Sequence, residues 1–332
     1  MATLHATTPK RRSRKLRIPA WLKGVGIACV LAAMVWDLIF SVVFYRRPLW
    51  VIDEAIHLRL KMAGVRSEYV AVGPYRVHYF VGGTGRPLLL IHGLASRSED
   101  WTPEIPEYIR SGFRVYALDL LGCGRTDHPD IAYTIQEQTD LVQGFLQAVH
   151  VSQADVVGWS LGGWIAFQLA LQHPASVRRL VVMDSAGLSF PTTLTPKIFE
   201  PRTVAELKQL EALLVPHPHA LPGFFDRALL RAMQRNFSVV HRTMQSIVTG
   251  KDLMDGRLGE IRLPVLIVWG ANDALIPPSV ALRMHQAMPQ SVLQLYNGCG
   301  HIGPATCADS IVPHVVDFLQ SEPPERGGMY RY

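Results

Sequence analysis

The sequence predicts an α/β fold: a mostly parallel sheet with helices on both faces, preceded by one transmembrane helix. Three observations predict it. Short, near-continuous apolar runs alternate with amphipathic stretches from about residue 68 to 320, the pattern of parallel strands buried on both faces. One run leads into GWSLG (158–162), where a serine stands between glycines just before a helix-like stretch. Residues 24–45 read GVGIACVLAAMVWDLIFSVVFY, about 33 Å long as a helix and enough to cross a bilayer core.

Residues 1–23 form a basic tail. Lys10, Arg11, Arg12, Arg14, Lys15, Arg17 and Lys23 precede the apolar segment, and Arg46 and Arg47 follow it. This asymmetry places the tail in the cytoplasm and the body on the far side. The run is longer than a signal-peptide core and lacks a well-flanked cleavage site, so an uncleaved anchor is expected. Trp21, Tyr45 and Trp50 suit aromatic interface positions. Asp37 falls inside the span, where a carboxylate costs a few kcal/mol. Either the other apolar residues outweigh it or it faces a partner helix. Residues 46–67 read as a linker.

The body follows in order. VHYFVGG (77–83) reads as a strand of an early hairpin, and PLLLIHG (87–93) and FRVYALDL (113–120) as buried strands. A helix is expected over 135–149, a strand over 154–159 and a helix over 161–172. RLVVMD (179–184), PVLIVWG (264–270) and SVLQLYN (291–297) complete the strands, and 308–320 the helices. The core is thus 68–186 and 259–320. Between them, 187–258 lacks strand-like runs and carries helical patches among prolines and glycines, as a helical cap would. Residues 321–332 read as a polar, frayed tail.

Composition excludes some functions. Residues 1–47 hold nine Lys or Arg against one Asp, a net +8, so against the total of +6 the remainder carries −2. The basic excess belongs to the tail, and nucleic acid is not an expected partner. Cys29, Cys123, Cys299 and Cys307 show no zinc-type spacing, and no metal is expected. Cys299 and Cys307 are near enough in sequence to bridge in an oxidising compartment, but separate buried thiols are the favoured expectation.

A serine hydroxyl is a poor nucleophile until a base takes its proton. It must also stand clear of the backbone. A tight strand-to-helix turn does this, and Gly158 and Gly162 leave room for it. The N–H of Leu161, first in the following helix, would face a developing oxyanion. Asp273 in WGANDALIP and His301 in NGCGHIG follow at the ends of two later strands. Ser160, Asp273 and His301 therefore stand in the order nucleophile, acid, base, where α/β sheets place ligands. Ser160 would attack, His301 would carry the proton, and Asp273 would orient the imidazole. The loop after LLLIHG offers a second oxyanion donor, the N–H of Leu94. His92 competes as base and Asp184 as acid, each less favoured. Asp119 in DLLGCGRTD reads as a loop organiser.

HGLASRSEDW, DLLGCGRTD, GWSLGG, WGANDALIP and GCGHIG, in this order, resemble the α/β-hydrolase superfamily over about residues 68–320. The resemblance implies an eight-stranded, mostly parallel sheet with a cap after the sixth strand. It also implies cofactor-free hydrolysis through an acyl-enzyme. Ser160 stands where epoxide hydrolases and haloalkane dehalogenases have an aspartate, which argues against both. The anchor, DSAGL (184–188) and the acid and base segments resemble membrane-anchored monoacylglycerol lipases. Two departures, Cys123 in LLGCGRTD and IGPATCADS after the histidine, leave the triad intact.

The leading functional expectation is a serine esterase on lipid esters, with LPGFF (221–225), Met233 and Met244 as candidates for an acyl channel or for plain cap packing. The alternative is a carbon–carbon bond hydrolase with the same triad, whose dienol carboxylate substrate needs a polar pocket. A non-catalytic membrane binding protein is the least favoured.

Overall fold

The computed structural model describes residues 20–218 and 220–332. The basic residues Lys10 to Arg17 lie outside the described residues. The chain divides at Val51 and Ile52 into two units. The first carries helix α1 (Ala20–Arg46). Within it, Ala28–Arg46 has a mean hydropathy of 2.1 and none of it is buried, so it is long and apolar enough to cross a membrane. Asp37 lies exposed in this stretch.

Residues 46–67 are not an irregular linker. They hold α2 (Pro48–Met62), within which the division at Val51 and Ile52 falls. Proline suits a first helical position, and Ile56 and Leu60, four apart, turn one stripe inward: Leu60 is 1% exposed and Ile56 packs against the core.

The second unit is built on one sheet with nine strands among the described residues. They are β1 (Arg66–Val72), β2 (Tyr75–Gly82), β3 (Arg86–Ile91), β4 (Phe113–Leu118), β5 (Ala154–Trp159), β6 (Val177–Met183), β7 (Val265–Gly270), β8 (Val292–Tyr296) and β9 (Met329–Arg331), in the order β1-β2-β4-β3-β5-β6-β7-β8-β9. β1 and β2 join antiparallel, and every pairing from β3/β4 onward is parallel. Leu88 and Leu90 of β3 enter the core on one face, Leu89 and Ile91 that on the other, which is why these runs contain no alternation.

Helices α3 (Ile105–Arg110), α4 (Ile135–Ala148), α5 (Leu161–Gln172), α6 (Val204–Leu214), α7 (Gly223–Arg235), α8 (Phe237–Ile247), α9 (Pro278–Ala287), α10 (Gly303–Thr306) and α11 (Ala308–Gln320) complete the unit. Thr134 with Glu137, and Thr203 with Glu206, form capping boxes that start α4 and α6. Between β6 and β7 stand α6, α7 and α8 and, among the described residues, no strand.

The tail overturns the expected frayed end and raises the expected eight strands to nine. β9 pairs parallel with β8. Its aromatic neighbours fix it: the Tyr332 ring stacks 4.1 Å from His314 and 5.2 Å from Tyr296. The expectation of separate thiols is likewise corrected. Cys299 and Cys307 form a disulfide, because the loop after β8 returns to the start of α11 with 6.2 Å between the two Cα atoms. Cys29 and Cys123 are free.

Candidate active site

Ser160 sits between β5 and α5 with φ 54° and ψ −115°. A non-glycine residue there is strained, and the surroundings must hold it. They do: its N–H donates to the Met183 carbonyl (2.9 Å), and its carbonyl accepts from Ala186 N–H (3.1 Å). The flanking glycines are required by close approach. A Cβ on Gly158 would stand 2.4 Å from the Gly162 carbonyl oxygen, and one on Gly162 would stand 2.2 Å from that of Ile91. Gly163, not singled out from sequence, is equally tight, at 2.3 Å from Ser185 Oγ.

The structure brings the three predicted side chains together. His301 Nδ1 lies 2.8 Å from Asp273 Oδ2, and Nε2 lies 2.8 Å from Ser160 Oγ. With Nδ1–H donating to the carboxylate, Nε2 accepts from the serine hydroxyl. Asp273 Oδ1 accepts the N–H groups of Leu275 and Ile276, both at 2.9 Å. Both carboxylate oxygens are thus committed, and the acid is fixed in place. Trp159 Nε1–H donates to the His301 carbonyl at 2.7 Å and holds the histidine loop. Among the described residues, the N–H groups of Leu94 and Leu161 donate no hydrogen bond. Both residues line one cavity with Ser160 and His301.

The rejected candidates sit elsewhere. His92 is fully buried: its Nδ1 meets the Gly93 carbonyl (2.8 Å) and its Nε2 accepts from Leu120 N–H (3.1 Å). Asp184 accepts Gly270 N–H at 2.7 Å, and its other oxygen has no partner among the described residues. Burial, then the charge of neighbouring Asp273, pushes its carboxyl well above the usual range, against the Gly270 bond. The partner of His301 Nδ1 is Asp273 and not Asp184.

The cavity measures about 950 Å³. Its wall is largely apolar, from the cap (Phe199, Leu210, Met233, Met244) and from the core side (Trp159, Leu275). Met233 and Met244 thus take the expected position, whereas residues 221–225 do not line it. Sequence reasoning missed Ile52, Ile56 and Arg59 of α2, and Ser96 and Asp100 after β3, which also line it. A spacing of four between Ser96 and Asp100 was the available signal; for α2 there was none. Among the described residues, no group of three or more His, Cys, Asp or Glu is arranged to hold a metal ion.

The chain is 30% identical over 268 residues to a 2-hydroxymuconate semialdehyde hydrolase of Pseudomonas sp. strain CF600, covering 77% of this chain and 94% of that one. The fold is similar to that of a membrane phospholipase A described as a bacterial virulence factor (TM-score 0.76, 22% identity, 88% of this chain and 97% of the other). It is also similar to a meta-cleavage product hydrolase from Pseudomonas fluorescens IP01 (TM-score 0.69, 24% identity, 76% and 97%). Residues 88–312 match the alpha/beta hydrolase family. That span runs from β3 through the cap into α11 and takes in Ser160, Asp273 and His301, and on it the chain belongs to the alpha/beta hydrolase family.

Proposed function

We propose that the chain is a membrane-anchored serine hydrolase that cleaves carboxylic esters of lipid type, such as monoacylglycerols. Ser160 attacks the ester carbonyl carbon while His301 takes its proton, and Asp273 steadies the imidazolium. The tetrahedral oxyanion accepts the N–H groups of Leu94 and Leu161. The intermediate then collapses, the C–O bond to the alcohol breaks, and His301 returns the proton to the leaving alkoxide. Water, deprotonated by His301, splits the acyl-enzyme.

The observation that carries the reading is the cavity: about 950 Å³, walled mainly by aliphatic and aromatic side chains, with Ser160 and His301 in it. Such a wall suits an acyl chain better than a compact polar substrate. α1 supplies the anchor. The charge asymmetry of the tail supports an N-terminus in the cytoplasm and a body outside it. The Cys299–Cys307 bridge fits an extracytoplasmic body.

The second reading is a carbon–carbon bond hydrolase. Likeness to the 2-hydroxymuconate semialdehyde and meta-cleavage product hydrolases favours it. Against it, the charged side chains of the cavity wall are Glu99, Asp100 and Glu211 with a single cation, Arg59, a poor setting for a dienol carboxylate.

The test is turnover of 1-monoacylglycerols of increasing chain length by the full chain in detergent, with Ser160→Ala as control. Serine-dependent turnover that peaks at medium or long chains is expected. Turnover of vinylogous diketones and not of esters would decide for the second reading.

A further inference from the structure

The cavity wall is not uniformly apolar. Its charged groups differ in how they are satisfied. Glu99 is bound by Arg125 (2.9 Å) and His57 (3.2 Å), with Arg97 at 3.7 Å. Glu211 is bound by Lys208 at 2.8 Å. Among the described residues, Asp100 has no ion pair. Its Oδ2 accepts from Ser96 Oγ–H (2.6 Å) and Arg97 N–H (3.2 Å), and Oδ1 accepts nothing. Asp100 is nevertheless open to the cavity, which it lines together with Ser96. Arg59, the remaining charge without an ion pair, is an exposed residue of α2.

Asp100 lines the same cavity as Ser160 and His301, and the segment that leads to it starts beside the serine. Ser96 N–H donates to the Gly93 carbonyl at 3.3 Å, and a Cβ placed on Gly93 would stand 3.3 Å from Cβ of Ser160. The segment that presents Leu94 N–H thus carries, within a few residues, a carboxylate oxygen with no partner. Asp100 is an exposed residue, so this oxygen is free to meet a donor that a substrate brings.

Resting on the ester reading above, we propose that Asp100, oriented by Ser96, is the head-group acceptor. It takes a hydrogen bond from a free hydroxyl of the ester's alcohol portion, so the preferred leaving group is a neutral polyol. The same carboxylate turns away phosphate- and carboxylate-bearing head groups by like-charge repulsion. The apolar cap then receives the acyl chain, and the polar corner fixes which end of the substrate enters first.

The experiment compares three esters of one fatty acid in the full chain: the 1-monoacylglycerol, the methyl ester and the glycerophosphate ester. Asp100→Asn is close to isosteric, and its carbonyl can still accept from Ser96 and Arg97. The kcat/KM ratio of glycerol ester to methyl ester falls about tenfold in this variant, the scale of one hydrogen bond to a charged group. The ratio of glycerophosphate ester to methyl ester rises by a similar factor. Ser96→Ala, a second and milder variant, moves both ratios in the same directions by about threefold. Ratios within twofold of the unmodified protein in both variants overturn the proposal, even where the rates on all three esters fall together. Absence of any Ser160-dependent ester turnover in the unmodified chain overturns the ester reading instead, and this proposal with it.

Discussion

Two regions of this molecule hold a Ser–His–Asp chain with nearly the same bond lengths. Ser160, His301 and Asp273 are linked at 2.8 and 2.8 Å. Ser67, His78 and Asp119 are linked at 2.8 and 2.7 Å, again with Nδ1 toward the carboxylate and Nε2 toward the serine. What surrounds them differs. Ser160 stands on a left-handed elbow at the head of α5, beside two undonated N–H groups and a large cavity. Ser67 lies in β1, the edge strand, and no member of its chain lines that cavity. Its oxygen also accepts from Arg125 Nη1 at 3.0 Å, and that guanidinium binds Glu99 and meets His57 of α2. Asp119 further accepts Ser98 N–H (2.7 Å) and Arg125 N–H (2.9 Å). The second chain is therefore a clamp across β1, β2, α2 and the loops after β3 and β4. Short hydrogen bonds alone do not make a nucleophile; on the proposed reading, the elbow, the donors and the cavity are what set the first chain apart from a brace.

The largest expected difference is in rate. Ser160→Ala lowers kcat by at least about 10⁴-fold, the scale on which a serine nucleophile contributes. Ser67→Ala changes kcat by less than about twofold, the noise of a surface change away from a site. Labelling by a fluorophosphonate reads the same contrast directly, and a label found on Ser67 in Ser160→Ala protein would break the comparison.

The two aspartates sharpen it next. Asp273→Asn lowers kcat by about 10³- to 10⁴-fold, because the imidazole loses its orienting partner. Asp119→Asn acts the other way. It strips the charge from a fully buried carboxylate with three donors, and a loss of about 2–3 kcal/mol in unfolding free energy is expected, with kcat spared. Denaturant unfolding of both variants beside their kinetics decides this. Equal destabilisation with equal loss of rate would erase the distinction.

Much of the first region was legible in the sequence. Its residues sit at strand ends inside short signals, GWSLG, WGANDALIP and GCGHIG, and apolar runs announce the strands that carry them. The second region was not, although Asp119 was read as a loop organiser. Ser67 and His78 are 11 residues apart, and His78 and Asp119 are 41 apart; no local pattern links them, and each alone resembles an ordinary strand or loop residue. β9 escaped for the same reason, since a three-residue strand in a polar tail depends on ring stacking with Tyr296 and His314. Asp100 escaped because only the fold brings it to the cavity wall.

Acid titration separates the regions by a smaller margin. Burial by itself would raise the Asp119 carboxyl. The His78 hydrogen bond, the neighbouring His92 and the N–H groups of Arg125 and Ser98 outweigh it and bring the group down to about 2. The folded value lies below the unfolded one of about 3.9. The stabilisation is therefore complete above about pH 5 and is lost as pH falls toward about 2, at most about 3 kcal/mol in all. Unfolding free energy measured from pH 6 to 2 should show this slope in the unmodified protein and a shallower one in Asp119→Asn. An identical slope in both would mean that the clamp does not depend on the charge.

The smallest effect concerns the cavity, which belongs to one region only. Met233 projects from α7 into its wall and is half-buried. A tryptophan there fills space without touching Ser160, His301 or Asp273. On the ester reading, Met233→Trp lowers kcat/KM for long acyl chains by about fivefold and spares short ones, since a few methylenes excluded from an apolar pocket cost about 1–3 kcal/mol. Reactivity of Ser160 toward a small fluorophosphonate, which needs no acyl channel, should stay within about twofold, like other changes remote from the reacting atoms. A uniform fall across chain lengths would place Met233 in cap packing, and the acyl chain would then have to follow another wall. A selective fall would tie chain length to the space around the first Ser–His–Asp chain, the feature its counterpart on β1 lacks.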